Sequence, residues 1–213
     1  IAIAITTVVY PVIPAIPEID PLSLQGVLIS MQQVILGIAM GLCVRIIFIA
    51  LELAGQAIGQ LMGLMLASMV DPLNGNQVPI IGQFYLLLAT LLFLVVDGHL
   101  MMIGVLAESF TTMPITAGGL SKDGAWEVLM WTGHIIKMAV VIALPALVSL
   151  LIVNLSFGVM TRSAPQLNIF AVGFPIMLIL GVVIIFFSLN SFVPHMMTLF
   201  DDGMLMMQKL VTP

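Results

Sequence analysis

Apolar residues run with little interruption over positions 23–70, 80–113, 125–154 and 169–192. Short polar stretches punctuate them: the turn Asp71-Pro72-Leu73-Asn74-Gly75-Asn76, the loop PITAGGLSKDG and the break across 162–168. Apolar runs this long predict helices rather than strands. Residues 1–16 read as the end of a first helix. Pro11, Pro14, Pro17 and Pro21, with Glu18 and Asp20 between them, then predict a rigid non-helical link. Ser23 is placed to cap the helix that follows. The third run opens with Trp126 and Trp131, as interface anchors do, kinks at Pro145 and ends with Asn154. Beyond Pro194 the Met-rich tail HMMTLFDDGMLMMQKLV predicts an amphipathic terminal helix. One difficulty stands out. Residues 23–70 as a single helix would measure roughly 70 Å at ~1.5 Å per residue, whereas a bilayer core is ~30 Å thick. That run must bend, leave the membrane plane or line protein.

Its polar and small residues show where it is unusual. Gly55, Gly59 and Gly63 recur every fourth position on one face, where missing side chains let another backbone approach. Gly37 and Gly41 make a second such face. Glu52, Gln56 and Gln60 form a polar stripe, and Arg45 lies two turns before Glu52. An ionised Glu at mid-bilayer depth costs about 3 kcal/mol on lenient insertion scales, so this stripe is expected to face protein or water. Met62, Leu64, Met65, Leu66 and Met69 then lead into the polar turn. Two readings stay open here: a packed helix ending in a loop, or a Gly- and Met-rich element inside a pore or assembly.

Composition defines the class. Hydrophobic residues make up 62% and charged residues 7%, against about 25% charged in soluble domains, and the mean hydropathy is +1.27. This is an integral-membrane composition, with room for four or five apolar helices in one domain over residues 1–213. The net charge of −5 comes without a basic patch, which argues against nucleic acid as a partner. The single cysteine, Cys43, excludes an intrachain disulfide and a multi-cysteine metal site. Ile1 lies within an apolar run that lacks a charged leader and a small-residue cleavage site, so no signal peptide is read there. The chain is expected to begin inside a helix, with an apolar segment preceding Ile1. Lys and Arg total five, too few for the positive-inside rule to set orientation.

Catalytic signatures are not found: no nucleophile elbow, zinc-binding H-E-x-x-H, phosphate-binding loop or C-x-x-C occurs. Asp97 with His99 could resemble a proton-relay pair, but a Gly-centred helix end or water-exposed kink with both residues hydrogen-bonded locally is the favoured reading. Glu108 and Lys137 read as polar residues at helix ends or in an interface. No cofactor and no metal site is expected.

The most specific stretch is VNLSFGVMTRSAPQLNIFAVGFP, residues 153–175. Ser156 and Gly158 loosen a helix that Arg162 closes at a polar boundary. Pro165, Gln166 and Asn168 make a turn whose amides can cap a neighbour, and Gly173 and Pro175 interrupt the next helix early. Such a stretch suits a tight helical hairpin packed against similar hairpins. Its R-x-A-P-Q-x-N-x-F-x-x-G-F-P pattern resembles the FliR family of flagellar export proteins and their counterparts in type III secretion injectisomes. Met31-Gln32-Gln33 with Gly37, Glu52-x-x-Gly55 through Asp71-Pro72, Asp97-Gly98-His99, and Ser109-Phe110 to Pro114 agree, in order, over essentially the whole chain.

The resemblance implies an all-α protein whose first part is FliP-like and whose C-terminal hairpin is FliQ-like. It implies a non-enzymatic, multi-pass subunit of a bacterial inner-membrane export gate at the flagellar basal body. Its partners would be FliP-like and FliQ-like subunits, an FlhB-like export protein, unfolded secretion substrates and membrane lipid. Met62, Gly63, Leu64, Met65, Leu66, Met69, Asp71, Pro72, Asn74 and Gln77 would form a pore plug. Gly37, Gly41, Gly55, Gly59, Gly63, Arg162, Pro165, Gln166, Asn168, Gly173 and Pro175 would serve assembly, and Arg45, Glu52, Gln56, Gln60, Asp97 and His99 would be buried polar groups. An injectisome homologue is the near alternative. A stand-alone transporter using Asp97, His99, Glu52 and Arg45 as an ion path is the distant one.

Overall fold

A computed structural model of the chain describes residues 2–13, 20, 23–64, 79–115, 121–163 and 169–211. Helix α1, Ala2–Val9, runs into a 3-10 turn, Tyr10–Val12. Helices α2 (Leu24–Leu61), α3 (Ile80–Val95), α4 (Gly98–Thr112), α5 (Lys122–Ser163) and α6 (Ile169–Val211) follow. Among the described residues there is no strand, and the protein is all-α as its apolar runs predict. Three stretches, Leu24–Leu61, Lys122–Ser163 and Gly173–Val211, are long and apolar enough to cross a membrane, and α3 with α4 forms a bent pair that can serve as a fourth span.

Local chemistry sets the starts. The Ser23 Oγ accepts the Gly26 amide at 3.1 Å, satisfying one of the orphan donors of the first turn of α2. Ser121 does the same for α5 through the Gly124 amide at 3.0 Å, so that helix begins at Lys122, ahead of the tryptophans.

Expected interruptions are absent at Asn154, Pro175 and Pro194, while the breaks within 23–70 and at Asp97 fall where the sequence leads one to expect them. The run 23–70 is not one helix: α2 stops at Leu61, and Gly63 adopts φ +80°, a left-handed conformation that glycine enters without a Cβ clash. The run 80–113 is two helices bent by 67°. Asn154 does not end the third run, because α5 continues to Ser163. Pro194 does not separate the tail either. A single helix passes through Pro175 and Pro194 to Val211. In apolar surroundings a proline costs one backbone hydrogen bond, whereas ending the helix would strand about four carbonyls and four amides without water. Continuing costs less.

The described chain packs as two units. The first comprises Ile1–Ile47, Leu91–His134 and Leu199–Pro213. Its buried residues include Met40, Cys43, Val44 and Ile47 of α2 and Phe200, Met204 and Met207 of α6. The bare backbone of Gly203 admits the Ile47 side chain. The rings of Phe93 and Phe200 lie 5.1 Å apart, and the Trp131 indole donates to the Cys43 carbonyl at 3.2 Å. In the tail Asp201, Leu205, Gln208 and Lys209 are exposed, while Met204, Met206, Met207, Leu210 and Val211 are buried. The expected amphipathic face is present.

The second unit comprises Phe48–Thr90 and Ile135–Thr198. Its tightest feature is a backbone contact between α2 and α3. A Cβ added to Gly55 would lie 2.6 Å from the Ile81 carbonyl oxygen and 2.7 Å from the Gly82 Cα. A Cβ on Gly82 would lie 3.0 Å from the Glu52 carbonyl oxygen. Each glycine exists for the other's backbone. Beside them Tyr85 meets Phe192 edge-on, with centroids 4.8 Å apart.

This contact predicts a graded response. Gly55→Ala must push backbone against backbone and is expected to lower stability by about 1–3 kcal/mol. Gly37→Ala, whose Cβ would meet nothing within 4 Å, is expected to leave the melting temperature unchanged. Thermal melts of the two purified variants in one detergent check this, and equal melting temperatures would remove the glycine contact from the account.

Candidate functional site

The polar stripe of α2 lies at the edge of the glycine contact. The Gln56 Nε2 donates to the Glu52 Oε1 at 3.2 Å, and both residues are half-buried. Gly82 is approached by the Gln56 Cγ at 3.0 Å and the Glu52 Cγ at 3.4 Å from a built Cβ. The amide thus spans the carboxylate while its aliphatic stem packs on α3. Arg45 and Gln60 are exposed on this chain, so the stripe is not buried as a set within it.

At the bend between α3 and α4, Asp97 takes φ 55° and ψ 26° and makes no side-chain cap. It is the sole non-glycine residue with positive φ among those described. Its carbonyl accepts the amides of Leu100 at 2.9 Å and Met101 at 3.1 Å, which starts α4 in the new direction. Gly98 follows because the Phe93 ring occupies the place of a Cβ. His99 is half-buried and its Nδ1 has no hydrogen-bond partner. The triplet is a Gly-centred kink, and its imidazole is not satisfied locally as the sequence reading supposed.

The end of α2 is built from three helices. The Leu61 carbonyl lies in the last turn, where intrahelical partners run out, and the Asn154 Nδ2 of α5 donates to it at 3.1 Å. Met62 is fully buried, with its side chain in the notch left by Gly181 of α6. Gly63 turns left-handed beside the Phe174 ring. From the sequence Asn154 reads only as a helix end, and Gly82 and Gly181 carry no reading of their own. A lone amide within the apolar run VSLLIVNLSF and single glycines within α3 and α6 were the available signals.

The remaining expected residues separate. Gly59 packs against Ile81, so the Gly55 and Gly59 face is filled from within the chain. Gly37 and Gly41 are exposed and face open space. Arg162 is exposed in the last turn of α5, Gly173 is buried and Pro175 is exposed in α6. Leu64 is half-buried. Met65, Leu66, Met69, Asp71, Pro72, Asn74, Gln77, Pro165, Gln166 and Asn168 lie outside the described residues. Among the described residues no group of three or more His, Cys, Asp or Glu is arranged to hold a metal ion.

Long apolar helices and a broken span define a multi-pass α-helical membrane protein. A family model described as bacterial export proteins, family 1, matches residues 1–203. The flagellar biosynthetic protein FliR of Pectobacterium carotovorum is 37% identical over 95% of this chain and 77% of its own length. FliR of Escherichia coli is 37% identical over 85% of the chain and 69% of its own. The surface presentation of antigens protein SpaR of Shigella flexneri is 26% identical over 73% of the chain and 60% of its own. The chain belongs to the bacterial export proteins, family 1, as a multi-pass inner-membrane component of the FliR type.

The kink yields a test of its own. Left-handed backbone costs a residue with a Cβ about 1–2 kcal/mol, a penalty smallest for Asp, Asn and Gly. Asp97→Gly is expected to match or exceed the wild-type melting temperature, and Asp97→Val to fall below it by an amount corresponding to about 1–2 kcal/mol. If Asp97→Val melts with the wild type, the bend does not depend on this residue's conformation.

Proposed function

We propose that this chain is a non-enzymatic subunit of a flagellar type III export gate, forming the pore with FliP-like and FliQ-like subunits next to an FlhB-like protein. The observation that carries this reading is an unfilled packing face on α2. Gly37 and Gly41 have nothing within 4 Å of a built Cβ, and Val34, Ile38 and Leu42 beside them are 61%, 58% and 39% exposed. Lipid tails gain nothing from a glycine notch, whereas another helix gains close van der Waals contact. Family membership supports export as the context, and the greater identity to the FliR proteins than to SpaR favours a flagellar over an injectisome system.

Within that gate, Met62, Gly63, Leu64, Met65, Leu66, Met69, Asp71, Pro72, Asn74 and Gln77 act as the pore plug. A seal that must yield to an unfolded substrate is better made of many weak contacts, each about 0.1–0.2 kcal/mol, than of a few strong bonds. Methionine suits this because it repacks around irregular surfaces. The polar turn that follows cannot rest against lipid. Arg162, with five donors in a rigid fork, holds the C-terminal hairpin to a neighbour together with Pro165, Gln166, Asn168, Gly173 and Pro175.

Co-purification with the FliP-like and FliQ-like subunits tests assembly. Gly37→Leu is expected to abolish the complex and Arg162→Ala to weaken it more than Lys122→Ala. A stable complex containing Gly37→Leu, or a chain that is monodisperse and ion-conducting alone, would favour the stand-alone transporter. Removing residues 66–75 tests the plug: the complex should still form and cells should lose membrane potential. A tight complex lacking those residues would make the stretch simple packing.

A further inference from the structure

The two-residue joint at Met62 and Gly63 is tied to the chain more firmly than a hinge needs to be. A helix that ends in an apolar environment leaves carbonyls that water cannot reach, and each is costly when unpaired. The Leu61 carbonyl lies in the last turn of α2, and the Asn154 amide donates to it from another helix. Asparagine is a poor helix-interior residue because its side chain competes for backbone groups. Here it stands mid-helix between Val153 and Leu155, half-buried. Neither local propensity nor apolar packing explains it; the bond to Leu61 does.

One position further on, Met62 is 1% exposed. A Cβ on Gly181 would come within 2.5 Å of the Met62 Cε, 2.6 Å of its Cγ and 2.8 Å of its Sδ. The thioether therefore lies along the bare backbone of α6, where any larger residue would displace it. Gly63 then leaves in a left-handed turn at φ +80°. A built Cβ there would be 3.4 Å from the Phe174 ring. A hydrogen bond from α5 and a side-chain socket on α6 thus fix two successive residues, and the glycine after them sets the direction in which the chain departs.

We propose that Asn154 and Gly181 are positioning residues that hold the end of α2 as a fixed post, and that the post sets the resting tightness of the pore. The second half of this statement rests on the plug reading given above, with Met62 and Gly63 as the fixed root of the plug and not the part that yields; the first half does not. The post gives the departing chain a defined origin. A plug hung from a frayed helix end would sample many positions, and its weak contacts could not add up in any one of them.

Asn154→Leu is the informative substitution. It keeps size and suits an apolar helix, and it deletes only the bond. Hydrogen exchange of the assembled complex reads the post directly. Loss of one hydrogen bond should speed exchange of the amides of residues 59–63 about five-fold, with the rest of α2 unchanged. Resting ion conductance of cells expressing the variant with its partners reads the consequence and should rise. Gly181→Ala acts on the other half of the joint and should move both readouts the same way, and adding Met62→Ala, which vacates the socket, should relieve the clash without restoring the resting seal. Exchange at 59–63 that stays at wild-type rates in both Asn154→Leu and Gly181→Ala overturns the post. Faster exchange with wild-type conductance upholds the post and overturns the plug.

Discussion

The approach of α2 to α3 at Gly55 and Gly82 is the constraint on which the second unit depends. Two backbones in van der Waals contact leave no freedom of register, because a shift of one residue would bring Ala54 or Gln56 against Gly82 in place of Gly55. The Glu52–Gln56 pair acquires its position from that contact, since the stem of Gln56 packs where Gly82 has no side chain. The polar stripe is thereby held at the edge of a helix pair. A carboxylate on an otherwise apolar helix is tolerated there because it has an amide donor and partial access to its surroundings.

Much of the fold was legible in hydropathy alone, because apolar runs of this length admit few structures in a bilayer. The Ser23 cap, the Asp97 break and the amphipathic tail were all marked by residue types whose chemistry is local. Interruptions governed by environment were harder to see. Pro175 and Pro194 read as interruptions in a scale calibrated on water, yet α6 runs through both. Gly63 ended a helix where sequence showed only one more member of a glycine series.

The glycine series shows a second limit. Gly37 with Gly41 and Gly55 with Gly59 have the same spacing. One pair faces open space and the other faces α3, and spacing alone does not distinguish them. The answer lay in Gly82, the partner on another helix. Asn154 reads as a helix end for a related reason: its role is set by a carbonyl 93 positions away in the chain. Long-range contacts of this kind leave only a residue that looks misplaced.

The tail has a consequence for the time course of folding. Gly203 closes on Ile47, and Phe200 and Met204 complete a core whose other wall is Met40, Cys43 and Val44. About 150 residues separate the two walls, and synthesis at ~5–20 residues per second puts roughly 8–30 s between them. Throughout that interval the newly inserted α2 presents a face that its own chain cannot yet cover. The core of the first unit is thus closed by residues translated long after those that open it.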